Sequence, residues 1–105
     1  MVALVRWDSN PLLNRRRIHL TKHFIRAMPT VLRIGPYRFH FYSRENDEPP
    51  HIHVTRDDIE TKFWLQPISV AANHGFGPAE LNQVRRYVEE HCQTLITAYV
   101  RFHGR

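Results

Sequence analysis

Glu48-Pro49-Pro50-His51-Ile52-His53-Val54 constrains this chain more than any other stretch. Two prolines hold the backbone extended and resist both helix and ladder pairing. The residues after them alternate histidine with branched apolar side chains. Period two puts His51 and His53 on one face of a strand and Ile52 and Val54 on the other. If Ile52 and Val54 are buried, both imidazoles belong to the opposite face.

The same alternation organises the neighbouring segments. Val31 to Ile34 reads as a strand that Gly35-Pro36 breaks. Tyr37 to Ser43 reads as a second, with Tyr37, Phe39 and Phe41 opposite Arg38, His40 and Tyr42. Asp57-Asp58 marks a tight turn between His51–Arg56 and a fourth strand, Glu60 to Gln66. A two-residue turn there opposes Arg56 to Ile59, and so His53 to Lys62 and His51 to Trp64. A one-residue slip would set apolar side chains against polar ones on both faces. Pro67 to Phe76 reads as a connector with one helical turn around Ser69 to Asn73. From Pro78, the residues Leu81, Val84, Val88, Cys92, Leu95, Tyr99 and Phe102 recur at spacings of three and four. They predict one amphipathic helix over residues 78–103, ended by Gly104. The expected architecture is α+β: a four-stranded antiparallel sheet with one long C-terminal helix on one face.

Composition narrows the class. The 105 residues suffice for one compact domain, and no apolar run is long enough to cross a bilayer. One cysteine, Cys92, excludes an internal disulfide and a cysteine-rich zinc site, so a reduced cytoplasmic setting is expected. The net charge of +5 is concentrated at one end: Arg6, Arg15, Arg16, Arg17, Lys22 and Arg26 stand against Asp8 alone, and the rest is balanced. Residues 1–27 read as a basic extension, disordered or partly helical, and residues 28–105 as the domain. Met28 is an alternative start.

The face expected to remain open carries His51, His53, Lys62 and Trp64, with Arg38, His40 and Tyr42 from the second strand. Several readings fit it. In RNA cleavage, one imidazole takes the 2′-hydroxyl proton and the other protonates the leaving oxygen. Lys62 or Arg38 stabilises the phosphate, and Trp64 or Tyr42 stacks on a base. In metal binding, His51 and His53 are joined by Glu48 or Glu60. In the third reading the face is simply polar surface or a protein-docking surface. The His-Ile-His start is similar to that of histidine-triad hydrolases, but Thr55 stands where they have a third histidine. His19, His23, His91 and His103 are expected to be solvated, and Asn73-His74-Gly75 to be a turn.

Four segments together carry a family resemblance: Met28 to Phe39, Glu48 to Val54, Lys62-Phe63-Trp64-Leu65, and Gly75 to Leu81. Over residues 28–103 the chain resembles the bacterial domain-of-unknown-function 4160 family. Its members usually begin at the methionine of Met-Pro-Thr, which marks residues 1–27 as an extension. His40 departs from its pattern, where an aromatic is commoner. The resemblance implies a partner, because the family's genes often lie beside those of a second small family, domain of unknown function 2442, in a toxin–antitoxin-like arrangement. The combined expectation is one half of such a pair, acting on RNA as a metal-independent ribonuclease through His51, His53 and Lys62. Trp64, Arg38 and Tyr42 are the expected binding residues, and no cofactor is expected. The alternative is a non-catalytic binding or regulatory module that docks a partner on the open face.

Overall fold

The computed structural model describes residues 2–4, 30–42 and 47–104, the first three by backbone alone. Five strands form an antiparallel meander: β2 (Thr30–Ile34), β3 (Tyr37–His40), β4 (His51–Arg56), β5 (Ile59–Leu65) and β6 (Ile68–His74). A three-residue segment, β1 (Val2–Leu4), adds to the outer edge of β2. Two helices follow, α1 (Pro78–Glu90) and α2 (Cys92–His103). Beyond Val2–Leu4, the N-terminal extension lies outside the described residues, as do His19 and His23. No helix among the described residues is long and apolar enough to cross a membrane.

The β4–β5 hairpin has the register that the Asp57-Asp58 turn dictates. Arg56 pairs with Ile59, His53 with Lys62 and His51 with Trp64. Asp57 adopts the positive φ of 55° that such a turn requires. On the other side β3 sets Phe39 against Val54 and His40 against His53. Phe39, Ile52, Val54 and Phe63 are completely buried together with Val84, Val88 and Leu95 of the helices. Alanine at Val88 or Leu95 is expected to cost about 2–4 kcal/mol, through lost transfer energy and the cavity left behind.

Two elements differ from expectation. Residues 68–74 form a strand, not a connector with a helical turn. They return along β5 after a turn at Gln66-Pro67 and set Val70 against Phe63 and Ala72 against Lys62, with a bulge between. The Thr61 hydroxyl donates to the Ala72 carbonyl at 2.8 Å, tying the two strands at the bulge. The expected single helix is two. His91 (φ −114°, ψ 19°) leaves helical geometry between them, while its N–H still reaches the Tyr87 carbonyl and its carbonyl accepts from Leu95. One apolar stripe therefore continues through the break, from Val84 and Val88 to Leu95 and Tyr99.

Gly75 makes the β6–α1 connection possible. Its φ is +118°, and a Cβ there would lie 2.4 Å from Ile59 Cγ2. Asn73 closes the same turn, donating from its amide nitrogen to the Phe76 carbonyl and accepting the Phe76 N–H.

Candidate functional site

His51, His53, Lys62 and Trp64 share one face, as their spacing requires, and β3 adds His40 beside them. That face is not open. His40 and His51 are 0% exposed and His53 is 5% exposed. Solvation was expected from period two alone, but side chains from elsewhere cover the imidazoles. The Tyr42 ring stands edge-on to His53 at 4.3 Å between centroids. Trp64 and Tyr99 take the same position against His51 at 5.8 and 5.5 Å. The two imidazoles are 5.3 Å apart, and His40 stacks on His53 at 5.7 Å.

His51 and His53 are each oriented by an acceptor. His51 Nδ1 lies 2.8 Å from the Pro49 carbonyl oxygen. His53 Nδ1 lies 2.9 Å from Glu60 Oε2. A carbonyl and an ionised carboxylate only accept, so both Nδ1 atoms carry hydrogen. Glu60 is itself held, because the Tyr42 hydroxyl donates to Oε1 at 3.0 Å. The hydrogen bond from His53 keeps the Glu60 carboxyl below its ordinary value, helped by Tyr42 and opposed by partial burial.

Lys62 occupies the rim. Its ammonium donates to Glu48 Oε1 at 2.5 Å and stands 4.7 Å from the centre of the Trp64 ring. The same carboxylate oxygen is 3.8 Å from His51 Nδ1. Arg38, an expected binding residue, points its Nε at Thr30 Oγ1 at 2.7 Å. Tyr42, another, acts as the brace on Glu60.

The prolines owe their position to three successive carbonyls, each held by a different element. The Glu48 carbonyl accepts from the Tyr99 hydroxyl, the Pro49 carbonyl from His51, and the Pro50 carbonyl from the Leu65 N–H. His51 therefore anchors its own approach segment. By spacing alone Glu48 and Glu60 read only as metal ligands, and Tyr99 only as core. Glu60 was nevertheless findable: it faces Thr55, which makes it the diagonal neighbour of His53. No group of three or more His, Cys, Asp or Glu among the described residues is arranged to hold a metal ion.

A second polar cluster joins β3, β4 and α1. Glu80 accepts from the Tyr37 hydroxyl at 2.6 Å and from two nitrogens of Arg56. The pairing lowers the Glu80 carboxyl, Arg56 first and Tyr37 second, and pushes the Arg56 guanidinium up. Burial, with Glu80 beside it, pushes the Tyr37 phenol to about 12. The expected solvation of His103 does not hold either, since its ring packs 4.3 Å from Tyr99 and 5.8 Å from Phe41. His91 is half-buried. Cys92 is half-buried too, directs its thiol at the Leu65 carbonyl, and is pushed up by burial, which suits packing better than nucleophilic attack.

No curated protein and no solved structure matches this chain. A family described as a domain of unknown function, DUF4160, matches residues 37–99, more than half of the sequence and the span that contains β3 through most of α2. On that match the chain belongs to the DUF4160 family.

Proposed function

We propose that this domain is the RNA-cleaving half of a toxin–antitoxin-like pair, with His53 as its acid–base group. One observation carries the reading: His53 is held by Glu60, which is held in turn by Tyr42, beside a lysine on the rim. A carboxylate behind an imidazole sets its tautomer and stabilises the imidazolium once a proton is taken. In this reading His53 takes the proton of a 2′-hydroxyl, whose oxygen bonds to phosphorus as the bond to the 5′-oxygen breaks, and the departing 5′-oxygen takes a proton from water; Lys62 offsets charge on the phosphate, and Trp64 stacks on a base. His51, fully buried and committed to Pro49, has a positioning role. Substituting His53 by Gln and Lys62 by Gln tests this. Each variant should fold, lose growth arrest on expression without the neighbouring gene product, and leave cellular RNA intact. Undiminished arrest in the His53 variant rejects the reading.

The low exposure of the histidines favours a second reading, a non-catalytic module in the same kind of pair. The half-exposed Trp64 would then anchor a partner protein. Trp64→Ala should weaken capture of the neighbouring gene product in that case, and the wild-type protein should leave RNA intact.

A further inference from the structure

Lys62 already holds an anion, and the way that anion is delivered is informative. Glu48 Oε1 lies 2.5 Å from Lys62 Nζ and faces His51 Nδ1 at 3.8 Å. The backbone behind this carboxylate is fixed. Tyr99 grips the Glu48 carbonyl from α2 at 2.6 Å, and His51 holds the next carbonyl. Pro49 and Pro50 remove two φ rotations just beyond it. The pair is nevertheless at the surface, with the Lys62 side chain 16% and the Glu48 side chain 35% exposed. Trp64 lies along the ammonium and limits where it can go.

We propose that Lys62 is a phosphodiester-binding cation that the protein keeps closed with its own Glu48 carboxylate, so that RNA must displace Glu48 to bind. This rests on the RNA reading above and adds a regulation to it. A carboxylate and a phosphodiester each present two oxygens sharing one negative charge, so one can stand where the other would bind. Rotation of the Glu48 side chain uncovers the ammonium while the backbone clamps stay in place. The closed form also sets a threshold. A weakly held nucleotide does not compete with a tethered carboxylate, whereas a polyanion with several phosphates does.

The test is fluorescence anisotropy of a labelled short single-stranded RNA oligonucleotide with the full chain at low salt. Glu48→Gln keeps the clamped carbonyl and the side-chain length and removes the charge. It should bind about tenfold tighter than wild type. Glu48→Asp, which keeps the charge but is too short to reach Lys62 in the same way, should also bind more tightly, and it serves if the Gln variant does not fold. Adding Lys62→Gln to Glu48→Gln should return binding to the wild-type level or below. Glu89→Gln, which removes an exposed carboxylate on α1, should change nothing. Equal or weaker binding by the Glu48 variants overturns the proposal. So does a double variant as tight as Glu48→Gln, or an equal gain from Glu89→Gln. Cleavage is scored separately. Tighter binding without cleavage sinks the nuclease reading alone, and wild-type cleavage without a gain on opening Glu48 sinks this one alone.

Discussion

The Tyr99 hydroxyl donates to the carbonyl oxygen of Glu48 at 2.6 Å, across 51 positions of sequence. This bond joins the last helix to the segment that introduces β4. It makes Tyr99 more than a member of the apolar stripe: its ring packs on Phe41 and His51 while its polar end positions the Glu48-Pro49-Pro50 backbone. A buried tyrosine commonly needs such an acceptor.

Tyr99→Phe keeps the ring and deletes only that donor. The variant should lose about 1–2 kcal/mol, since a buried carbonyl is left without its partner. Urea denaturation measures this. An unchanged midpoint would mean that the hydroxyl contributes nothing to stability.

His51→Ala is expected to destabilise the domain strongly, by about 2–4 kcal/mol, because the ring is fully buried and its loss strands the Pro49 carbonyl. From β-strand periodicity alone, His51 and His53 would be solvated and their removal harmless. Thermal melts of the alanine variants decide between these: a His51→Ala protein that melts with wild type shows that the imidazole is not an anchor. Loss of activity in that variant is consequently no measure of catalysis, and the conservative His53→Gln is the informative change.

Register was legible in the sequence because three independent constraints agreed. Asp57-Asp58 supplied the turn, Ile52 and Val54 supplied the alternation, and Phe63 and Leu65 answered it on β5. Strand β6 was not legible. Pro67 advertises a break, and Ser69, Ala71, Ala72 and Asn73 are too small or polar to show which face is buried. The bulge opposite Lys62 and Phe63 disrupts what alternation remains. Nothing at His91 announces the helix break either, since neither glycine nor proline is there, and a stripe with spacing three and four survives it. Burial of the histidine face depends on Tyr42 and Tyr99, which arrive from a strand end and a helix. Periodicity within β4 carries no information about such neighbours. The pairing of His53 with Lys62 was readable; the carboxylate on each required diagonal and loop geometry.

Acid should weaken the His53–Glu60 link in a defined direction. The folded Glu60 carboxyl lies below its ordinary value of 4.5, first because His53 donates to it. Its contribution to stability is therefore complete above that value and is lost as pH falls through the lower, folded value. Melting temperature followed from neutral to acidic pH should fall more steeply for wild type than for Glu60→Gln, and the two curves should converge in strong acid. Parallel curves would show that the carboxylate gains nothing from folding.

Alkali should act on the other cluster, in the opposite direction. Burial and the Glu80 hydrogen bond raise the Tyr37 phenol from 10.0 to about 12. A raised value favours the neutral phenol in the fold, so its contribution is present below about 10 and is lost as pH rises through 12. Denaturant midpoints of wild type and Tyr37→Phe should draw together over that range. The ultraviolet titration of wild type minus that of Tyr37→Phe should show a component ionising near 12 rather than 10. A difference component ionising near 10 would refute the burial argument.

Gly75 offers the sharpest backbone test. At φ +118° an L side chain is strained, and an added Cβ would meet Ile59 Cγ2 at 2.4 Å and Ile59 Cβ at 2.8 Å. Ile59 cannot retreat, because it pairs with Arg56 beside the Asp57-Asp58 turn and packs against the core. Gly75→Ala combines both costs and should destabilise by about 2–4 kcal/mol. Two residues on, Gly77 precedes α1 with φ −74° and has nothing within 4 Å of an added Cβ. Gly77→Ala should therefore change stability by only about 1 kcal/mol or less, chiefly through the weaker helix-capping preference of alanine. Comparing the two in one denaturation series removes composition as a variable, since both are Gly→Ala within three residues. If they cost the same, the tight passage between β6 and α1 is not held against Ile59 as described.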